Sequence, residues 1–178
     1  MQAYVEGDLR AFERLFASLA PSLRAFFLRS VGNASAADDL AQTTFLKLHG
    51  ARRRWRRGER VRPWVFTIAA HVRVDWLRAQ GRAPTEALEE EAGAAPDTAG
   101  DPAIAFEGRE RSERVHAALD ALSESQRVVV HLHRFEGLGF ADIGRILGIS
   151  EGAAKLRAFR AYEELRRRLG DLVAGEAP

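Results

Sequence analysis

Apolar positions recur at steps of three and four along almost the whole chain, and no stretch alternates with the period of two expected of a half-buried strand. Asp8 is placed to cap a helix whose apolar stripe is Phe12, Leu15, Phe16 and Leu19. Pro21 suits the first turn of a second helix carrying Leu23, Phe26, Phe27 and Leu28, which Gly32-Asn33 ends. A third helix is expected over 35–49, with Leu40, Thr44, Phe45 and Leu48 inward. Residues 50–62 read as a loop containing Gly58. Pro63 then opens a fourth helix, with Trp64, Val65, Ile68, Ala69, Val72 and Trp76 on its apolar side, ending near Gly81. Residues 83–103, APTEALEEEAGAAPDTAGDPA, have no apolar period and the composition of a mobile linker. Helical spacing resumes with Ile104, Phe106, Val115, Leu119 and Leu122. Ser123 to Gln126 has the S-x-x-Q form of a capping box, ahead of Val129, Val130 and Leu132. The pattern predicts an all-α chain of two small helical domains, 1–82 and 104–178, joined by a flexible acidic linker at 83–103.

Residues 138–169 have a sharper pattern. Phe140, Ile143, Ile146 and Leu147 form one apolar face, Gly148 stands where a helix C-terminus prefers glycine, and Ile149 can plug the core. Ser150 is a good N-cap for a second helix with Ala154, Ala158, Ala161, Leu165 and Leu169 on one stripe and Lys155, Arg157 and Arg160 outside it. Small alanines allow close helix approach and leave a basic face free for a major groove, which is the logic of a helix-turn-helix. An ordinary helical hairpin with a solvated basic face has the same pattern.

Composition narrows the class. The chain has 178 residues and no cysteine, so it has neither a disulfide framework nor a thiolate metal site, and a reducing cytoplasm fits. No run of 18 apolar residues is present, and the N-terminus lacks the basic start and apolar core of a signal peptide. A net charge of +2 hides a strongly uneven distribution: −1 over residues 1–46, +9 over 47–82, −7 over 83–113 and +1 over 114–178. Residues 52–62 hold seven arginines around Trp55, and the next helix adds Trp64, Phe66, Arg73, Trp76, Arg78 and Arg82. Cations neutralise phosphates without reading sequence, while aromatics beside them stack on unpaired bases. Together they suit opened or single-stranded nucleic acid better than intact duplex. Trp64 and Trp76 share the apolar stripe and read first as core; Trp55 is the better stacking candidate. The 21-residue linker, at ~3.3 Å per residue, could span about 70 Å, or roughly 20 base pairs.

Three segments resemble bacterial sigma factors of the extracytoplasmic-function (ECF) group. DDLAQTTFLKLH (38–49) is similar to the family's D-L-x-Q-x-x-F helix, which docks on the clamp helices of the largest subunit of core RNA polymerase. RPWVFTIAAHVRVDWLRAQGR (62–82) is similar to the segment that recognises and opens the −10 element, and residues 119–169 look like the −35-reading region. The resemblance implies that Asp39, Gln42 and Phe45 contribute to polymerase docking. It implies that the loop bearing Arg54, Trp55, Arg56, Arg57, Arg60 and Arg62 captures a base flipped from the −10 element. Arg73, Arg78 and Arg82 would hold nearby phosphates. Ser150, Lys155, Leu156, Phe159 and Arg160 fall at positions facing the −35 element, with Arg157 on phosphate. The acidic linker would thread the polymerase's RNA-exit path, and an anti-sigma protein, often membrane-anchored, is the further partner implied. No cofactor is implied. Family members usually carry a hydroxyl residue at the place of Leu156, often a histidine at Phe159, and often an asparagine at His71. Leu156 can offer a base edge only apolar contact, such as with a thymine methyl.

Two other functions compete. A helix-turn-helix regulator acting without polymerase explains residues 119–169 equally well. It does not explain the +9 segment with its tryptophans, and such regulators usually bind palindromes as dimers. An enzyme acting on nucleic acid lacks its chemistry here. His131 and His133 lie about 200° apart on a helix, Asp38-Asp39 have no carboxylate at helical spacing, and no phosphate-binding loop or nucleophile motif occurs.

Overall fold

The computed structural model describes residues 1–81 and 113–174, with side chains through 170. The linker at 83–103, Arg82, Ile104 and Phe106 lie outside the described residues. All regular structure among those described is helical. The N-terminal half comprises α1 (Gln2–Val5), α2 (Leu9–Val31), α3 (Ala34–Ala51) and α4 (Val61–Ala79). The C-terminal half comprises α5 (113–120), α6 (Glu124–Val130), α7 (Phe140–Leu147) and α8 (Glu151–Ala174).

Local chemistry accounts for most boundaries. Asp8 accepts hydrogen bonds from the Arg10 and Ala11 amides at 2.9 and 3.2 Å, and Asn33 caps α3 through the Ala36 amide at 2.9 Å. Gly32 ends α2 in the left-handed region, at φ 69°. Ser123 and Gln126 form both bonds of the capping box. Two elements differ from the sequence expectation. Pro21 does not start a helix; α2 runs through it as one 23-residue rod. The proline deletes one amide donor, but Leu19, Leu23, Phe26 and Phe27 on either side are buried in one core, and that burial holds the rod together. At its start, α1 buries Tyr4, whose hydroxyl lies 2.6 Å from His49 Nδ1.

In the N-terminal half α2 packs on α3, and α3 on α4; in the C-terminal half α7 and α6 pack on α8. The two small helical domains expected from the sequence are both present, and they lie against each other. Here α4 packs against α7, and α2 against α6. One hydrophobic core runs across the junction, from Leu23, Phe27 and Val65 to Val129, Leu132 and Ile143. A smaller cluster of Leu122, Val130 and Ala161 closes the far side of the C-terminal half. Periodicity reveals each helix's apolar stripe but not which partner covers it, so this closure was invisible in the sequence.

Candidate nucleic-acid and docking interfaces

The helix-turn-helix is built as its residues dictate. Gly148 turns the chain at φ 66°, the Ile149 amide donates to the Gly144 carbonyl at 2.9 Å, and the Ala153 amide donates to Ser150 Oγ at 3.1 Å. Ala154, Ala158 and Ala161 are buried and let α8 lie close to its neighbours. The outer side of α8 then carries Lys155, Leu156, Phe159 and Arg160, all exposed. Leu156 is 49% exposed and Phe159 62%, high values for large apolar side chains in a closed fold. Lys155 pairs with Glu151 at 2.7 Å. Arg157 differs from its neighbours: it is half-buried and lines a cleft between the halves with Arg73 and Arg145.

The arginine-rich segment forms a 3-10 turn at Arg52–Arg54 and then an irregular loop. Arg54, Arg56 and Arg57 are exposed, as is Arg78 on α4. Trp55 is half-buried, and its indole N–H is enclosed without a hydrogen-bond partner. Trp64 and Trp76 pack against the core, in line with the reading of their stripe. Beside the loop lies a concavity of about 360 Å³ lined by Lys47, Arg54, Ile68 and His71.

Three of the expected −10 arginines are engaged by the other half of the chain. Arg60 pairs with Asp142 at 2.6 Å, Arg62 with Glu136, and Arg73 with Glu124. Arg73 is buried, so in this arrangement it is not free for a phosphate as the sequence reading expected. Burial, reinforced by Arg127, lowers the pKa of Arg73 to about 10. Arg82 lies outside the described residues. Next to these pairs, Arg29 Nη1 meets His131 Nδ1 at 3.1 Å and its guanidinium stacks over the Phe135 ring at 4.3 Å. His131 Nε2 faces Glu136 Oε1 at 3.3 Å. Burial lowers the His131 pKa; burial opposes ionisation of Glu136 too, but His131 and Arg62 outweigh it and hold that carboxyl below its usual range.

Elsewhere in the N-terminal half, α3 presents Asp39 and Gln42 to solvent, while Phe45 is mostly buried, its ring 4.6 Å from that of Phe16. Gln42 and Phe45 line an apolar groove of about 810 Å³ between α2 and α3, shared with Phe12, Phe16 and Leu46. Leu46 is exposed and Phe16 partly so, yet neither was singled out for docking. The signal for Leu46 was available: it stands off the inward stripe of its helix, beside Phe45.

Among the described residues no group of three His, Asp or Glu side chains is arranged to hold a metal. No described helix is long and apolar enough to cross a membrane. The surface thus carries exposed arginines in one place and an apolar groove in another.

Residues 15–83 match Sigma-70 region 2, and residues 112–165 match Sigma-70, region 4. Over 174 residues the chain is 41% identical to the RNA polymerase sigma factor CarQ of Myxococcus xanthus, covering 97% of each. It is 32% identical to the ECF RNA polymerase sigma factor SigF of Caulobacter vibrioides, covering 93% of this chain and 89% of SigF. The chain belongs to the ECF sigma factors. This sigma factor is therefore a promoter-specificity subunit of RNA polymerase, and its matched regions coincide with the helices just described. Among solved structures it is similar to the sigma factor RpoE in complex with the anti-sigma factor NepR from Bartonella quintana, with TM-score 0.71 and 25% identity over 91% of this chain and 98% of that one. The fold is also shared with CnrH in complex with the cytosolic domain of CnrY, with TM-score 0.63 and 24% identity over 97% of this chain and 94% of that one.

Proposed function

We propose that this sigma factor docks on the clamp helices of core RNA polymerase through Asp39, Gln42 and Phe45. An acid and an amide on a solvent-facing helix suit arginines of a partner, and the adjoining groove suits an apolar side chain. The −35 duplex is read by Ser150, Lys155, Leu156, Phe159 and Arg160, with Arg157 on phosphate. The −10 element is held by Arg54, Trp55, Arg56, Arg57, Arg60, Arg62, Arg73, Arg78 and Arg82. The concavity next to Arg54 and His71 is the place for a base flipped from that element. An anti-sigma partner, as in the RpoE complex with NepR, completes the set, and the protein acts in the cytoplasm without catalysing a reaction of its own.

The observation that carries this reading is the outer face of α8. Two large apolar side chains stand there among cations, on a helix whose other side is closed by alanines. A surface helix with no partner keeps such side chains inward; one that enters a major groove uses them against base edges. The test is run-off transcription with purified core polymerase on a library of genomic promoters. Specific start sites with a shared upstream element are expected. Transcription no different from core enzyme alone rejects the reading.

A further inference from the structure

A cleft of about 210 Å³ opens between α4, α6, α7 and the first turns of α8, and the side chains around it carry one sign of charge. Arg73, Arg145 and Arg157 line it together with His71 and Ser125, and no carboxylate is among its described lining residues. We propose that this cleft is a binding site for a small phosphate anion, a diphosphate group in particular, held between Arg145 and Arg157 with Arg73 behind them. The site is separate from promoter recognition and stands whether or not the same arginines also meet DNA.

The positive charge on its walls is under-compensated. Asp142 is shared between Arg60 and Arg145, and Glu124 answers Arg73. Arg157 is half-buried, yet its side chain has neither an acid nor a hydrogen-bond partner among the described residues. Arg73 is buried, and its Nε is enclosed without an acceptor. Burial and then Arg127 hold its pKa down, at about 10. A guanidinium kept from water and short of acceptors is costly, and an anion beside it offsets that cost. Arg73 is too enclosed to meet a DNA backbone, but its charge acts at short range, through little water, on a small ion in the cleft.

Shape selects the ligand. Ala70, Val128 and Ile146 are buried side chains on the cleft wall, and an apolar wall strengthens each contact between guanidinium and anion. Pockets for drug-sized molecules run to roughly 300–1,000 Å³. This one is too small to enclose a nucleoside as well, so recognition rests on the phosphates. The three guanidinium groups come from α4, α7 and α8, on different sides of the cleft. A carboxylate has two coplanar oxygens and suits one such fork; tetrahedral phosphates present oxygens in several directions and suit more than one. The Ser125 hydroxyl, exposed at the start of α6, adds a neutral donor at the edge.

The test is isothermal titration calorimetry of the full chain with sodium diphosphate, in magnesium-free buffer at constant ionic strength, with sulfate as the comparison anion. Two or three charge-assisted hydrogen bonds give an expected Kd of about 1 mM or tighter, at one site. Arg157→Gln should weaken binding about tenfold or more. Ser125→Asp is the independent variant: it removes no arginine, places a carboxylate at the edge of the cleft, and suits the first turn of α6. It should weaken binding in the same direction. Arg10→Gln, exposed on α2 and outside the cleft, should bind like the parent. Circular dichroism checks that each variant keeps its helices. Uridine 5′-diphosphate separates the sources of the group: affinity equal to or above that of the inorganic anion assigns the site to the end of a larger molecule, lower affinity to the free ion. No saturable binding, sulfate bound as tightly as diphosphate, an unchanged Kd in either cleft variant, or an equal loss in Arg10→Gln overturns the proposal. Failure of the promoter reading would be seen separately, as absence of specific run-off transcription by the parent protein.

Discussion

Gly144 lies inside α7 where the turn of the helix-turn-helix folds back on it. A Cβ at this position would sit 2.8 Å from the Ile149 carbonyl oxygen and 3.3 Å from both the Glu151 nitrogen and the Ser150 carbonyl carbon. All three neighbours are backbone, and one belongs to the residue whose amide bonds the Gly144 carbonyl at 2.9 Å. In an open helix Gly→Ala would gain about 1 kcal/mol from propensity. Here the added methyl must push the turn away, an overpacking cost of about 1–3 kcal/mol, and it also strains that turn bond. Gly144→Ala should therefore destabilise by about 1–2 kcal/mol net, lowering the melting temperature by roughly 2–8 °C in a protein of this size. Gly152 supplies the contrast: its Cβ would meet only Ser150 Oγ, at 4.0 Å. Gly152→Ala, in the first turn of α8, should keep or raise stability, by up to about 1 kcal/mol. Urea and thermal unfolding followed by far-UV circular dichroism, with −35 duplex binding measured in parallel, reads both. A Gly144→Ala protein as stable as the parent, or equal losses in the two variants, would refute the close-approach argument.

Three further outcomes are expected. His131 has its pKa lowered from 6.5 by burial, and its charge would meet Arg29 on one side and Glu136 on the other, beneath the Phe26, Phe66 and Phe135 rings. The unfolded chain then takes up the proton first, so stability is complete above 6.5 and falls as pH drops toward the lower folded value; Glu136, whose own pKa is depressed below 4.5, adds its loss only at still lower pH. Urea midpoints should decline between about pH 7.5 and 5.5, and His131→Gln should remove most of that slope; an unchanged slope in the variant contradicts the assignment. For Leu156, replacing thymine by deoxyuridine in the preferred −35 duplex deletes only a methyl group. The parent should lose about threefold in affinity or more, at ~0.8 kcal/mol per buried carbon, and Leu156→Ala should be insensitive. Equal losses in both proteins would reject apolar readout there. Trp55→Ala should impair promoter opening more than initial binding, seen as weaker permanganate reactivity of −10 thymines at equal occupancy; normal reactivity would remove Trp55 from the melting step.

Features set by neighbours in sequence were legible. The turn of the helix-turn-helix, the Ser123 capping box and the Asp8 cap depend on residues within five positions of one another, and each formed as spacing implied. The single rod through Pro21 was not legible, because a proline's local preference was outweighed by burial of Leu19, Leu23 and Phe26 against elements far along the chain. The π-type turn at His131–Phe135 depends on a similar balance. It aims His131 at the α2 side and lets the Leu138 amide reach the Leu132 carbonyl at 3.0 Å, a bond that no regular helical period predicts. On α3, Asp39 and Gln42 could be placed on a solvent-facing surface, whereas the groove beside them needed two helices to be seen together.

The charges show why a local reading of the arginine run was incomplete. A segment of +9 invites the conclusion that its cations wait for phosphate, but sequence separation hides the acids that meet them: Asp142 lies 82 residues from Arg60, and Glu136 lies 74 from Arg62. The C-terminal half carries only +1 and looks bland, yet its charge is sorted in space. Glu124, Glu136 and Asp142 face the N-terminal half, while Lys155 and Arg160 face outward.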